Sequence, residues 1–227
     1  MMAAVNIPML LVSSFVLLLL QPWCATAIGS VCGNNAGNYT ANNGTYQSNL
    51  RFLSMTLPGN TSSSMELFAT ASAGRAPGDA VHALALCRGD MAGNRTGCGA
   101  CLARTFRYAQ QTCPNRKVAA VYDDDCLIGF SNSSSILGAA AAVSAQEKYS
   151  TLYQTWYQLT IPGRDPAAVG AEVRDMLDQT VRLAAGRSGR FVAAFMDGSS
   201  GAVRTALYSM AQCTPLPGVP AGACRPG

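Results

Sequence analysis

The stretch CRGDMAGNRTGCGACL, residues 87–102, places Cys87, Cys98 and Cys101 within sixteen positions, and few features restrict a fold as tightly. A Cys-x-x-Cys pair can be a metal clip, a redox centre or part of two structural bridges, and the folding compartment decides among them. Met9–Leu20 is an apolar run of twelve, followed by QPWCATA, whose Ala25 and Ala27 make an A-x-A-like cleavage site. This predicts a secretory signal peptide over residues 1–27. The run falls short of the about 20 apolar residues of a membrane span, so no membrane attachment is expected after cleavage. Cleavage following Ala27 would remove Cys24 and leave eight of the nine cysteines, an even number that favours disulfides outside the cytosol.

The secretory route agrees with five acceptor sequons, at Asn38, Asn43, Asn60, Asn94 and Asn132. Charged residues make up 12% of the chain and the net charge is +4, split evenly between residues 28–143 and 144–227. With no basic run longer than Arg116-Lys117, nucleic acid is excluded as a partner. Asp123-Asp124-Asp125 lacks the spaced oxygen ligands and turn glycine of a calcium loop and reads as a solvated turn.

Periodicity outlines the organisation. Leu50, Leu53 and Leu57 share a helical face over residues 48–57, with Pro58-Gly59 expected to end the helix. ELFATASA (66–73) and VHALAL (81–86) flank the turn segment GRAPGD as two strands. A second helix is predicted from Gly99 to Thr112, and VAAVY (118–122) and CLIGFS (126–131) as two more strands. The order implies an α+β fold: an antiparallel sheet with two helices packed on one face, stapled by disulfides. An Ala/Ser-rich linker (136–147) separates the first domain, 28–135, from a second, 148–227. There PAAVGAEVRDMLDQTVRLAAG (166–186) is a helix with Val169, Val173, Met176, Leu177 and Val181 on its stripe. RFVAAFMDG and AVRTALYSMAQC follow as two strands.

VHALALC (81–87) and LYSMAQC (207–213) match in pattern, and a second cysteine follows each after eleven residues, Cys87 to Cys98 and Cys213 to Cys224. This is an internal repeat whose second copy lacks counterparts of Cys32, Cys101, Cys113 and Cys126, so the first domain is expected to be complete and the second truncated. The missing strands would leave the last strand of the second copy with an open edge, a liability unless the first module, a second chain in a homodimer or the linker covers it. Pairing Cys87 with Cys98 and Cys213 with Cys224 satisfies both copies. Cys101 and Cys113 lie too far apart along one helix, about 18 Å, to bond each other. Two arrangements remain: Cys101 with Cys126 and Cys32 with Cys113, or the crossed alternative.

The segments VHALALCRGD, CGACLARTF and CPNRKVAAVYDDDC resemble the plant cysteine-rich repeat secretory proteins, whose ginkbilobin-like modules also form the ectodomains of cysteine-rich receptor-like kinases. The family motif is Cys-x8-Cys-x2-Cys, whereas ten residues separate Cys87 from Cys98 here. The resemblance implies the pairs Cys32–Cys113, Cys87–Cys98 and Cys101–Cys126. It also implies a mannose site built from an Asn, an Arg and a Glu, but those positions fall on Gly33, Ala120 and Ser131. Without those donors and acceptors the sugar loses what fixes its orientation, so mannose binding is not carried over.

Other chemistries find little support. Zinc needs two close ligand pairs and only Cys98-x-x-Cys101 qualifies, so no metal or cofactor is expected. A redox pair would require Cys98 and Cys101 to bond each other, stranding Cys87 and Cys126. The single His82 sits in an apolar strand, and Glu66, Asp79 and Asp90 are scattered, so no catalytic residues are expected. Arg88-Gly89-Asp90 reads as a turn after the strand rather than an adhesion motif. The expectation is a secreted, non-enzymatic protein of the plant apoplast that acts in defence or stress by binding an extracellular protein or a cell-wall glycan. The alternatives are an antifungal lectin using another surface and, more weakly, an apoplastic thiol oxidoreductase.

Overall fold

The computed structural model describes residues 28–34, 36–41, 44–76, 78–137, 163, 165–197 and 206–215. The signal segment with Cys24, the sequon at Asn43, the linker from residue 138, the second domain up to residue 162 and Cys224 lie outside the described residues.

The first unit is a five-stranded antiparallel sheet in the order β1-β4-β5-β3-β2, with two helices on one face. Its strands are β1 (Gly29–Cys32), β2 (Phe68–Ala73), β3 (Val81–Cys87), β4 (Ala119–Tyr122) and β5 (Cys126–Ser131). Helix α1 spans Thr45–Ser63 and α2 spans Arg95–Thr112. The expected α+β architecture is present, with one strand more than periodicity indicates. β1 is a four-residue edge strand, GSVC, too short and too poor in apolar alternation to be read beforehand.

Both helices are longer than expected, for physical reasons. Pro58 does not end α1 but lies inside it. The stripe Tyr46, Leu50, Leu53, Leu57 and Thr61 runs through the proline at helical spacing, and all five side chains are buried against the sheet and α2. Tertiary packing of that stripe outweighs the lost backbone bond. α2 starts at Arg95 rather than Gly99, because the Asn94 side chain accepts a hydrogen bond from the Gly97 amide at 2.9 Å and caps the first turn. Arg95 in turn donates to the carbonyls of Ser62 and Ser64 at 2.7 and 2.8 Å, satisfying the last turn of α1.

Alternation places Val81, Ala83, Ala85 and Cys87 of β3, Ala119 and Val121 of β4, and Cys126, Ile128 and Phe130 of β5 in the core beneath the helices. A 3-10 turn at Ser134–Leu137 packs against β3 and β5.

The described part of the second unit is α3 (Pro166–Gly186) packed on the hairpin β6 (Phe191–Met196) and β7 (Leu207–Gln212). Asp165 caps α3 through the Ala167 amide, with Pro166 as its first residue. The buried stripe is Val169, Met176, Thr180 and Ala184, so Leu177 falls on the exposed side. Thr180 joins the buried face because its hydroxyl is satisfied by the Met176 carbonyl at 2.8 Å and Ser209 Oγ at 2.6 Å. The repeat extends to the backbone. Leu67 and Arg190, the residues just before β2 and β6, both have left-handed φ, 51° and 48°. Each carbonyl accepts from the amide of the cysteine ending its hairpin, Cys87 at 2.9 Å and Cys213 at 2.8 Å.

Candidate functional site

Cys87 and Cys126 are cross-strand partners at the ends of β3 and β5, yet they do not bond each other. Cys87 bonds Cys98 and Cys126 bonds Cys101, with Cα separations of 5.7 and 6.1 Å. The Cys-x-x-Cys spacing explains this arrangement. Residues three apart on a helix share a face and are separated by about 4.5 Å of rise, close to the about 4.5–5.5 Å between opposed strand residues. Two neighbouring sheet cysteines and two neighbouring helix cysteines thus form a pair of side-by-side bridges fastening α2 under the sheet. A third bridge joins Cys32 on β1 to Cys113 at the end of α2, with Cα atoms 5.4 Å apart. Cys213 is also disulfide-bonded. Cys98 and Cys101 are buried in the core, and neither is a thiol.

The polar residues around the bridges are engaged with one another. Arg88 Nε bonds Asp90 at 2.7 Å, its Nη2 pairs with Asp125 at 3.1 Å and its Nη1 donates to the Asp124 carbonyl at 2.8 Å. The Asp90 hydrogen bond, foremost, holds the Arg88 pKa above its ordinary value. The Arg-Gly-Asp tripeptide is therefore folded onto the β4–β5 turn. Asp123 departs from the expected solvated turn: its side chain is 1% exposed and is held by Nε and Nη2 of Arg104, at 2.9 to 3.2 Å. A buried carboxylate persists because this two-pronged partner replaces its water. Among the described residues, no group of three metal-ligating side chains comes together.

Gly33, Ala120 and Ser131 fall on or beside three neighbouring strands. Gly33 bonds the Val118 carbonyl at 2.8 Å, extending the β1–β4 ladder, while Ala120 and Ser131 lie on the adjoining β4 and β5. Alternation puts all three on the sheet face away from the helices. A Cβ at Gly33 would come within 2.6 Å of Val118 Cβ, so the close strand approach leaves no room for a side chain there. His82 shares a hydrogen bond of 2.7 Å between Nδ1 and the hydroxyl of its cross-strand neighbour Ser72. The sequons at Asn38, Asn60 and Asn94 are exposed and that at Asn132 is half-buried.

Sequence reasoning missed a groove of about 760 Å³ between α1 and α2. Leu50 and Phe106 form its buried floor, Tyr39 stands at its wall, and Arg51 and Arg107 face it from opposite helices. The Tyr39 ring stacks on Tyr46 at 5.1 Å, and the Tyr46 hydroxyl donates to the Lys117 carbonyl at 2.6 Å. Burial raises the pKa of both phenols, and the nearby Tyr39 charge pushes Tyr46 further up.

Fold and bridges together define a small disulfide-stapled α+β module whose helix-turn-hairpin half recurs further along the chain. Residues 31–133 match the model of the salt stress response/antifungal family. It is similar to cysteine-rich receptor-like protein kinase 10 of Oryza sativa subsp. japonica, 36% identical over 88% of this chain and 29% of that protein. Cysteine-rich receptor-like protein kinase 6 of the same organism is 38% identical over 79% of this chain and 25% of that one. Cysteine-rich repeat secretory protein 38 of Arabidopsis thaliana is 28% identical over 81% of this chain and 66% of that protein. The chain thus spans 25–29% of the length of the rice kinases it matches. Among solved structures, the tandem DUF26 ectodomain of the Arabidopsis thaliana cysteine-rich receptor-like protein PDLP5 aligns with 49% of this chain and 52% of its own at 24% identity and a TM-score of 0.43. No helix among the described residues is long and apolar enough to cross a membrane.

Proposed function

We propose that this chain is a secreted, non-enzymatic binding protein of the plant apoplast, engaging an extracellular protein or a cell-wall glycan in defence or stress. The observation that carries this reading is the use made of the Cys-x-x-Cys pair: Cys98 and Cys101 are committed to separate bridges with Cys87 and Cys126. A thiol oxidoreductase needs those two sulfurs to exchange with each other near solvent, whereas here they are buried and structural. Two parallel bridges and a third across the module suit a scaffold kept rigid in an oxidising compartment. The family over residues 31–133 and the receptor and secretory relatives support the same reading.

Two measurements test it. Expressed in leaf tissue, the full chain should be recovered in apoplastic wash fluid with all thiols blocked before denaturation, and its mobility should shift on glycosidase treatment. Retention in the cytosol, or a reactive thiol pair at Cys98 and Cys101, would overturn the proposal. A glycan array read beside a panel of extracellular receptor domains then distinguishes a glycan from a protein partner.

A further inference from the structure

We infer that the groove between α1 and α2 binds a carboxylated oligosaccharide, with Arg51 and Arg107 taking its acidic groups. This deepens the binding role proposed above and rests on it.

Charge supplies the first line of reasoning. Neither α1 (TYQSNLRFLSMTLPGNTSS) nor α2 (RTGCGACLARTFRYAQQT) contains an aspartate or glutamate. Of the four arginines on the two helices, Arg95 is tied to the Ser62 and Ser64 carbonyls and Arg104 to Asp123. The guanidinium groups of Arg51 and Arg107 have no ion pair or hydrogen bond with the described residues, and these are the two that line the groove. Two cations opening on one cavity with no carboxylate in its lining favour an anionic occupant.

The rest of the lining selects the kind of anion. Ser48 and Gln110 bring a hydroxyl and an amide to the walls, and Ser54, whose hydroxyl donates to the Arg51 carbonyl at 2.8 Å, keeps its acceptor capacity, groups that match ring hydroxyls. The buried floor of Leu50 and Phe106, and the Tyr39 ring, offer apolar surface to the C–H face of a sugar. Ala103, where α2 passes the middle of the groove, keeps it open. The lining of α1 runs from Gln47 to Met55, about 12 Å of helix, a length that takes a short oligomer rather than a single sugar. This surface is on the helix-bearing side of the sheet, whereas Gly33, Ala120 and Ser131 lie on the opposite face.

The test is calorimetric titration of the full, secreted chain with an oligogalacturonate, its methyl-esterified form and poly-glutamate, repeated on Arg51→Gln/Arg107→Gln. Both arginines are exposed, so the variant should match the parent in melting temperature. The expected result is binding of the free-acid sugar that weakens about tenfold or more on esterification and by a similar factor in the variant, with a steep loss in high salt. Equal binding of the ester, an unchanged affinity in the variant, poly-glutamate binding as tightly, or no sugar binding would each overturn the inference. If the parent instead binds an array ligand with affinity unaffected by the double substitution, the groove assignment falls while the wider binding role stands.

Discussion

Gln212, the last residue of β7, closes on the turn at Gly89 in the first unit: its side-chain oxygen accepts from the Gly89 amide at 3.1 Å, and its Nε2 donates to the Cys87 carbonyl at 2.9 Å. One side chain of the second hairpin thereby satisfies the two backbone groups that flank Arg88 at the end of β3. Gly89 is also where Phe191 of β6 makes its approach, and a Cβ there would overlap the ring. Gly89→Ala should therefore lift Phe191 and the hairpin away, and Gln212→Ala should remove both hydrogen bonds at a cost of about 1–2 kcal/mol. Hydrogen exchange measures this directly. Amides of β6 and β7 are expected to exchange faster in both variants while β3 and β5 keep their protection; unchanged protection in the hairpin would show that the contact carries no stability.

The three bridges enclose loops of very different size, with sequence separations of 11, 25 and 81 residues. If they act by restricting the unfolded chain, replacing Cys32 and Cys113 together by alanine should cost about 4–5 kcal/mol and replacing Cys87 and Cys98 about 3. Urea unfolding of the two double variants gives the ranking. The reverse order would mean that fastening α2 under β3 matters more than loop entropy.

Much of this arrangement was legible in the cysteines. The recurrence of Cys87 and Cys98 as Cys213 and Cys224 pointed to a local pair, and helical rise separated Cys101 from Cys113; the choice between the two remaining arrangements came from family resemblance. The helices were legible through their stripes, but their ends were not. Pro58, Gly97 and Gly99 break helices by propensity, and here a continuous buried stripe and the Asn94 cap override them. The burial of Asp123 was hidden because its partner Arg104 is nineteen residues away. The groove was hidden because it exists only once two helices are set side by side. Its one sequence signal is that both segments carry arginine and no acid.

Tyr46 makes stability sensitive to alkali. Its phenol is buried beside Tyr39, and its pKa stands above the ordinary 10.0, chiefly through burial. As pH rises through 10 the unfolded chain gives up this proton while the folded chain keeps it, so the unfolded state binds fewer protons and stability falls with pH. Tyr46→Phe should lose the hydrogen bond to the Lys117 carbonyl, about 1 kcal/mol at neutral pH, and decline less steeply above pH 10. Melting temperatures from pH 7 to 11 compare the slopes; parallel curves for parent and variant would place the alkaline sensitivity elsewhere.

Asn94 caps α2 and also begins an Asn-x-Thr sequon, two features that substitution can separate. Its Oδ1 accepts from the Gly97 amide, while a sequon glycan would attach through Nδ2, leaving the accepting oxygen in place. The exposed Thr96 completes the sequon and takes no part in the cap. Asn94→Ala should lose both the glycan and the cap, destabilising the protein by about 1 kcal/mol. Thr96→Ala should lose the glycan alone and, in the first turns of a helix where alanine is favourable, leave the intrinsic stability of the glycosidase-treated chain unchanged or slightly higher. Intact mass reports the glycan and urea unfolding of the deglycosylated variants reports the cap. Equal destabilisation by the two substitutions would mean that the Asn94 side chain does not hold the start of α2.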